Sequence, residues 1–123
     1  MAYLNDRVFD EGLSILDLEA NAVHVTSAEA TTYTEATSTY TLGLSSSLSI
    51  AAPSDRAGGG RKVAVSAISD GSITGTGTVT HYALVDTGNS RLLATAALTA
   101  SQSVTNGNTF TLATFDIGIP DPT

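Results

Sequence analysis

The sequence predicts an all-β fold: a single antiparallel β-sandwich or barrel-like domain, led by a short N-terminal helix or arm. Two observations carry this expectation. Ser and Thr supply 33 of the 123 residues while charged residues reach only 14%, and β-branched hydroxyl side chains suit a pleated surface. From Arg61 onward the runs "RKVAVSAIS", "TGTVTHYALVD", "RLLATAALT" and "NTFTLATFDIGI" are separated by "DGS", "TGNS" and "SQSVTNG". Short strands punctuated by turn residues at that spacing indicate a sandwich or barrel. No stretch repeats at a fixed period, which argues against a solenoid, and the regular Val, Leu, Ile and Phe argue against low-complexity disorder.

Residues 1–20 are expected to form the arm or helix, 21–119 the β domain and 120–123 a tail. In "LNDRVFDEGLSILDLE" Asn5 can cap a helix whose first turn carries Asp6, although Gly12 interrupts the pattern. "NAVHVTS" alternates Val23 and Val25 against Ala22, His24 and Thr26, the period of a half-buried strand with His24 turned away from the valines. Thr32 and Glu35 stand at capping-box spacing, so "TTYTEATSTYTLG" predicts one or two helical turns. With no apparent apolar face, they read as a surface excursion. "LSSSLSIAA" (44–52) is expected to be a weak strand, and "PSDRAGGGRK" (53–62) a mobile loop. "IPDPT" cannot extend a helix or a central strand.

The stretch "VTHYALVDTGNSRLLATAAL" (79–98) reads as a hairpin. Its two runs are apolar on both faces, which places it centrally in a sheet with cover on both sides. Part of that cover is expected from another subunit. "DTGNS" supplies residues that tolerate positive φ at Gly88 and Asn89, and Asp86 can satisfy turn N–H groups. His81 and Asp86 are roughly 16 Å apart on a continuous strand at about 3.3 Å per residue, so they form no catalytic pair.

Charge and composition narrow the function. The net charge is −7, with Asp6, Asp10, Glu11, Asp17, Glu19, Glu29 and Glu35 all within the first 35 residues beside a single base, Arg7. Such a field repels phosphate backbones and anionic lipid, and suits a basic protein surface. Five Lys and Arg in total supply no basic stripe for nucleic acid. No uncharged apolar run reaches the roughly 18 residues of a membrane span, and "MAYLNDRVFDEG" lacks the pattern of a secretory signal. The expectation is a soluble chain with no nucleic-acid or membrane partner. Without cysteine there is no disulfide framework and no thiolate chemistry.

Motifs for catalysis or cofactors are weak throughout. No G-x-S-x-G elbow appears, and His24 and His81 lack the spacing of a metal pair. "SDGS" and "DTGNS" lack the alternating carboxylates and distal Glu of an EF-hand. "AGGGRK" lacks the G-K-[ST] ending of a phosphate loop, and "TGTGTVT" has no third glycine. The reading assigns no catalytic, cofactor-binding or metal-ligating residue, gives neither histidine a role, and predicts that the chain is not an enzyme. An accessory depolymerase would require two carboxylates about 5 to 9 Å apart in a cleft.

Two stretches carry a resemblance. "LDLEANAVHVTSAEATTYTEATSTYTLG" resembles the N-terminal half of small proteins from tailed-bacteriophage and prophage structural gene clusters. "GTVTHYALVDTGNSRLLATAALTASQSVTNGNTFTLATFDI" resembles their β-rich second half, and also β-sandwich modules of phage appendages. Together they cover most of the chain with common β and turn residues. Where many such relatives carry Cys in the strand and Pro before T-T-Y, this chain has "HVTS" and Ala30; those departures concern packing and turn shape.

The resemblance implies a virion structural protein with no catalytic residues, made in the bacterial host cytoplasm. The leading expectation is a head decoration (cement) protein, a homotrimer on the capsid surface bound outside the major capsid protein. The alternative is a tail or fibre component that attaches to host-surface glycan. Glycan sites usually offer exposed aromatics, and this chain has four Tyr and no Trp.

Overall fold

The computed structural model describes residues 3–4, 12–57 and 61–119. Among these, ten strands form two antiparallel sheets: β1 (Tyr3–Leu4), β2 (Ala22–Thr26), β3 (Thr41–Ser45), β4 (Ser54–Asp55), β5 (Arg61–Val65), β6 (Ile68–Ile73), β7 (Gly77–Asp86), β8 (Arg91–Val104), β9 (Thr109–Leu112) and β10 (Phe115–Ile119). The larger sheet runs β1-β8-β7-β2-β3-β6-β9 and the smaller β10-β5-β4. The larger sheet curls into a half-barrel, so the chain is all-β, as the sequence predicts.

One face of the curled sheet buries the main core. Val23, Val25, Leu84 and Leu93 meet Val63 and Val65 of the small sheet and Leu16 of helix α1 (Ser14–Glu19). The helix begins only after Gly12, whose φ of +79° sets the chain's entry, and Leu13 rather than a polar side chain occupies its N-cap. The Asn5 cap and the 120–123 tail lie outside the described residues. The N-terminal arm contributes something the sequence did not announce: Tyr3 and Leu4 add as a strand to the edge of β8, opposite Thr95 and Ala94.

The opposite face of the sheet carries a second, smaller core, which overturns the half-buried reading of β2: all five of its residues are buried. Ala22, Ala83, Val85 and Leu92 pack against Ala30, Ala36, Tyr33 and Tyr40 of the segment between β2 and β3. That segment was expected to be a surface excursion. Instead Ala30 and Ala36 are fully buried, because small side chains let the backbone lie close to the sheet. The capping chemistry is present in a shifted form. Thr32 Oγ1 accepts from the Glu35 N–H, while Glu35 Oε1 accepts from the Thr31 N–H and hydroxyl, both at 2.8 Å. These contacts hold the Glu35 carboxyl below its usual range, led by the Thr31 N–H, and a π-helical turn follows over Glu35–Thr39.

Three further segments depart from what the sequence predicts. The strand assigned to 44–52 lies earlier, at Thr41–Ser45; beyond it only Ile50 bridges to Val65, since the serine run has no apolar alternation to bury. The loop assigned to 53–62 is largely a hairpin, with Ser54 opposite Lys62 and Asp55 opposite Arg61. Arg61 holds its base by bonding Asp55 at 2.6 Å and the Pro53 carbonyl at 3.1 Å. The separator "SQSVTNG" is mostly strand, because β8 continues to Val104 opposite Gly77, leaving only 105–108 for the turn.

Candidate functional site

The β7–β8 hairpin organises the molecule, and its two ends are built differently. At the tight turn, the buried Asp86 accepts from the Gly88 N–H at 3.1 Å and from Asn89 Nδ2 at 2.8 Å, as the sequence predicts. The left-handed residue is Ser90, at φ 52°, rather than Gly88 or Asn89. The four-residue loop closes with its last position, not its middle, in that conformation. Asn21 bonds both the N–H and the hydroxyl of Thr87, and Arg91 pairs with Glu19 of α1 at 3.1 Å. These contacts fasten this end, and the chain's own 28–40 segment packs on its second face.

The other end is open. Val79 lies opposite Gln102 and His81 opposite Ala97, so the four residues Leu98–Ser101 face Thr80 alone. This is a large β-bulge, a device found at barrel rims where pairing stops. On the outer edge of β8, the described residues of β1 lie opposite Ala94 and Thr95. Among the described residues, Leu98–Ser101 therefore has no ladder partner on either side.

Beyond the bulge, β8 and β9 are not hydrogen-bonded to each other, although only a short turn joins them. That turn is tied to β6 instead: the Gly107 N–H donates to the Ile73 carbonyl at 2.9 Å and the Ile73 N–H to the Asn108 carbonyl at 2.8 Å. The result is a seam along the half-barrel. Adjoining cavities of about 230, 280 and 240 Å³ share Leu98 and Leu112 on one side of the middle cavity and Val104 and Phe110 on the other, forming one groove. Val25 and Val79 line its middle. Phe110 lies flat over Gly71, where any Cβ would overlap the ring. At the far end Tyr82 packs against Phe115 with centroids 4.5 Å apart and the rings tilted by 43°, and burial pushes the Tyr82 hydroxyl up to about 12.

The histidines take structural places. His24 is buried in the second face of β2, its Nδ1 2.8 Å from Thr41 Oγ1. Thr41 also donates to the Gly43 carbonyl at 3.2 Å, so this network assigns the Nδ1 proton to His24. Burial lowers its pKa below the ordinary 6.5. His81 Nδ1 lies 2.8 Å from Thr80 Oγ1, and the continuous strand keeps it apart from Asp86. In a separate polar hollow Asp70 accepts from Ser47 at 2.8 Å and Ser45 at 3.2 Å, bonds that lower its pKa, Ser47 contributing most. Among the described residues, no group of three or more His, Asp or Glu is placed to hold a metal ion.

No motif marks the seam in the sequence; its one local signal is that residues 92–115 carry no charged side chain in a chain of net charge −7. Chemically, the seam offers a stretch of backbone without a ladder partner among the described residues, beside an apolar floor, the surface that accepts an added strand or loop. Comparison with family models, with curated proteins and with solved structures finds no match for this chain.

Proposed function

We propose that this chain is a structural protein of a tailed-bacteriophage particle, a decoration (cement) protein carried on the outside of the major capsid shell as an oligomer of itself. The observation that supports this reading is the segregation of charge. Asp17, Glu19, Glu29 and Glu35 lie on α1 and on the segment that follows β2, whereas the seam end of the hairpin is uncharged. A shell-binding protein needs two kinds of surface, one for the shell and one for its neighbours. Acidic segments suit a basic shell surface and speed its encounter, and an uncharged apolar seam suits contacts in which burial supplies the energy. Repeated over a shell, such contacts would reinforce it against internal pressure.

The test is co-sedimentation of the purified chain with phage heads stripped of minor proteins, counting copies bound per head. Saturation at hundreds of copies is expected; a handful or none would remove the shell role. Heads lacking the protein should also lose resistance to heat and chelator.

A tail or fibre role in glycan attachment is the second reading. It draws on the neutral amides and hydroxyls of Gln102, Thr105, Asn108 and Thr111 around Phe110. Against it, the Phe110 ring is 7% exposed and offers little face for a sugar to stack upon. Immunogold labelling of tails rather than heads would reverse the ranking.

A further inference from the structure

We propose that the open end of the hairpin is where copies of this chain meet, two copies pairing about a twofold axis through Leu98–Ser101 and the groove beside it. The proposal rests on the assembly role above and names the surface that serves it.

The first argument is backbone accounting. Peptide groups without ladder partners on a sheet edge are templates for another strand, and proteins that stay monomeric blunt such edges with Lys, Pro or inward-pointing charges. Residues 92–115 contain none of these. The same edge already accepts an antiparallel strand immediately before the open stretch, where β1 lies on Ala94 and Thr95. Ala97 and Thr99–Ser103 are exposed beyond it.

Charge then selects the occupant. Two copies of net charge −7 repel as they approach, most strongly where carboxylates face each other. At the open end residues 92–115 carry no charge, and Asp116, a carboxylate at the far end of the groove, is already paired with Lys62 at 2.9 Å. A highly charged partner would instead lose hydration there and find no opposite charge to replace it.

Shape supplies the symmetry. The bulge that presents unpaired backbone borders the groove that can receive it, Leu98 and Ala100 lining that groove themselves. A patch carrying both halves of a contact is self-complementary, as a twofold interface requires. The bulge also breaks the register of β8 against β7, so pairing is confined to one short stretch and does not propagate into an open-ended sheet. A trimer would use a different surface.

The 123-residue chain provides a clean test because it has no cysteine. Sedimentation equilibrium at about 0.1 mM should show pairs, tightening with added salt as like-charge repulsion is screened. Ser101→Lys should weaken pairing at least about tenfold by setting lysine against lysine, even though it reduces the net charge (−7 + 1 = −6) and with it the general repulsion. Ser101→Cys should oxidise to a covalent dimer, while Leu18→Cys, at a site 77% exposed on α1, should not.

A wild-type chain that remains monomeric would overturn the proposal. So would unimpaired pairing by Ser101→Lys, or equal cross-linking at both cysteine positions. Head binding is scored separately: a chain that pairs without binding heads keeps this proposal and removes the shell role, and one that binds heads as a monomer does the reverse.

Discussion

The two ends of the β7–β8 hairpin share strands and a common core, yet one is tied down and the other has lost its ladder partners. At the turn, Asp86, Asn89, Asn21 and the Arg91–Glu19 pair occupy the available polar groups, and β1 covers the neighbouring edge. At the seam, four residues of β8 have left the β7 ladder and, among the described residues, pair with no other strand. Structural demand explains the first end completely. It does not explain the second, where an edge free of charge and proline is a liability unless something covers it.

Substitutions at the two ends should therefore differ in what they disturb. Leu93 is fully buried beside the closed end, and Leu93→Ala should cost about 2–5 kcal/mol in urea unfolding, as lost transfer energy and a residual cavity add. Asp86→Ala should cost about 1–2 kcal/mol through the freed turn donors; an unchanged midpoint would mean that the turn does not depend on its carboxylate. Thr95, under β1, has a buried hydroxyl without a hydrogen-bond partner. Thr95→Val keeps its shape and should raise stability by about 1 kcal/mol, and a loss would contradict the burial of that group.

His24 gives a pH-dependent contrast. Its folded pKa lies below 6.5, so near that pH the unfolded chain binds more protons than the folded one. The stability contribution is present in full above about pH 6.5 and is lost as pH falls through the folded value. His24→Leu should flatten the unfolding midpoint between about pH 7 and 5, while Thr41 retains its bond to Gly43. The smallest effect belongs to the open end, where Ser101→Lys should change unfolding stability by less than about 0.5 kcal/mol.

Legibility in the sequence followed the same division. Alternation in "NAVHVTS" and the "DTGNS" turn are local signals, and both gave elements in the right place. The cover over the second face was missed because its stripe, Ala30, Tyr33, Ala36 and Tyr40, is helical in spacing but made of small and amphipathic residues hidden among threonines. The seam was harder still. Sequence adjacency favours a β8–β9 hairpin, and nothing local announces that β9 will pair with β6 instead. Nor does the alternation of β8 reveal that Leu98–Ser101 leaves the ladder, since that bulge is fixed by the register of β7 across it. Only the absence of charge from 92 to 115 was visible, and it gains meaning once the strands are placed.

Amide hydrogen exchange, compared between dilute and concentrated chain, tests most directly whether the open end is the associating surface. Leu98–Ser101 should exchange fast in dilute solution and become protected on concentration, while Ala94 and Thr95 remain protected throughout. Protection that stays low at Leu98–Ser101, or that rises instead on α1 or the 28–40 segment, would contradict the account.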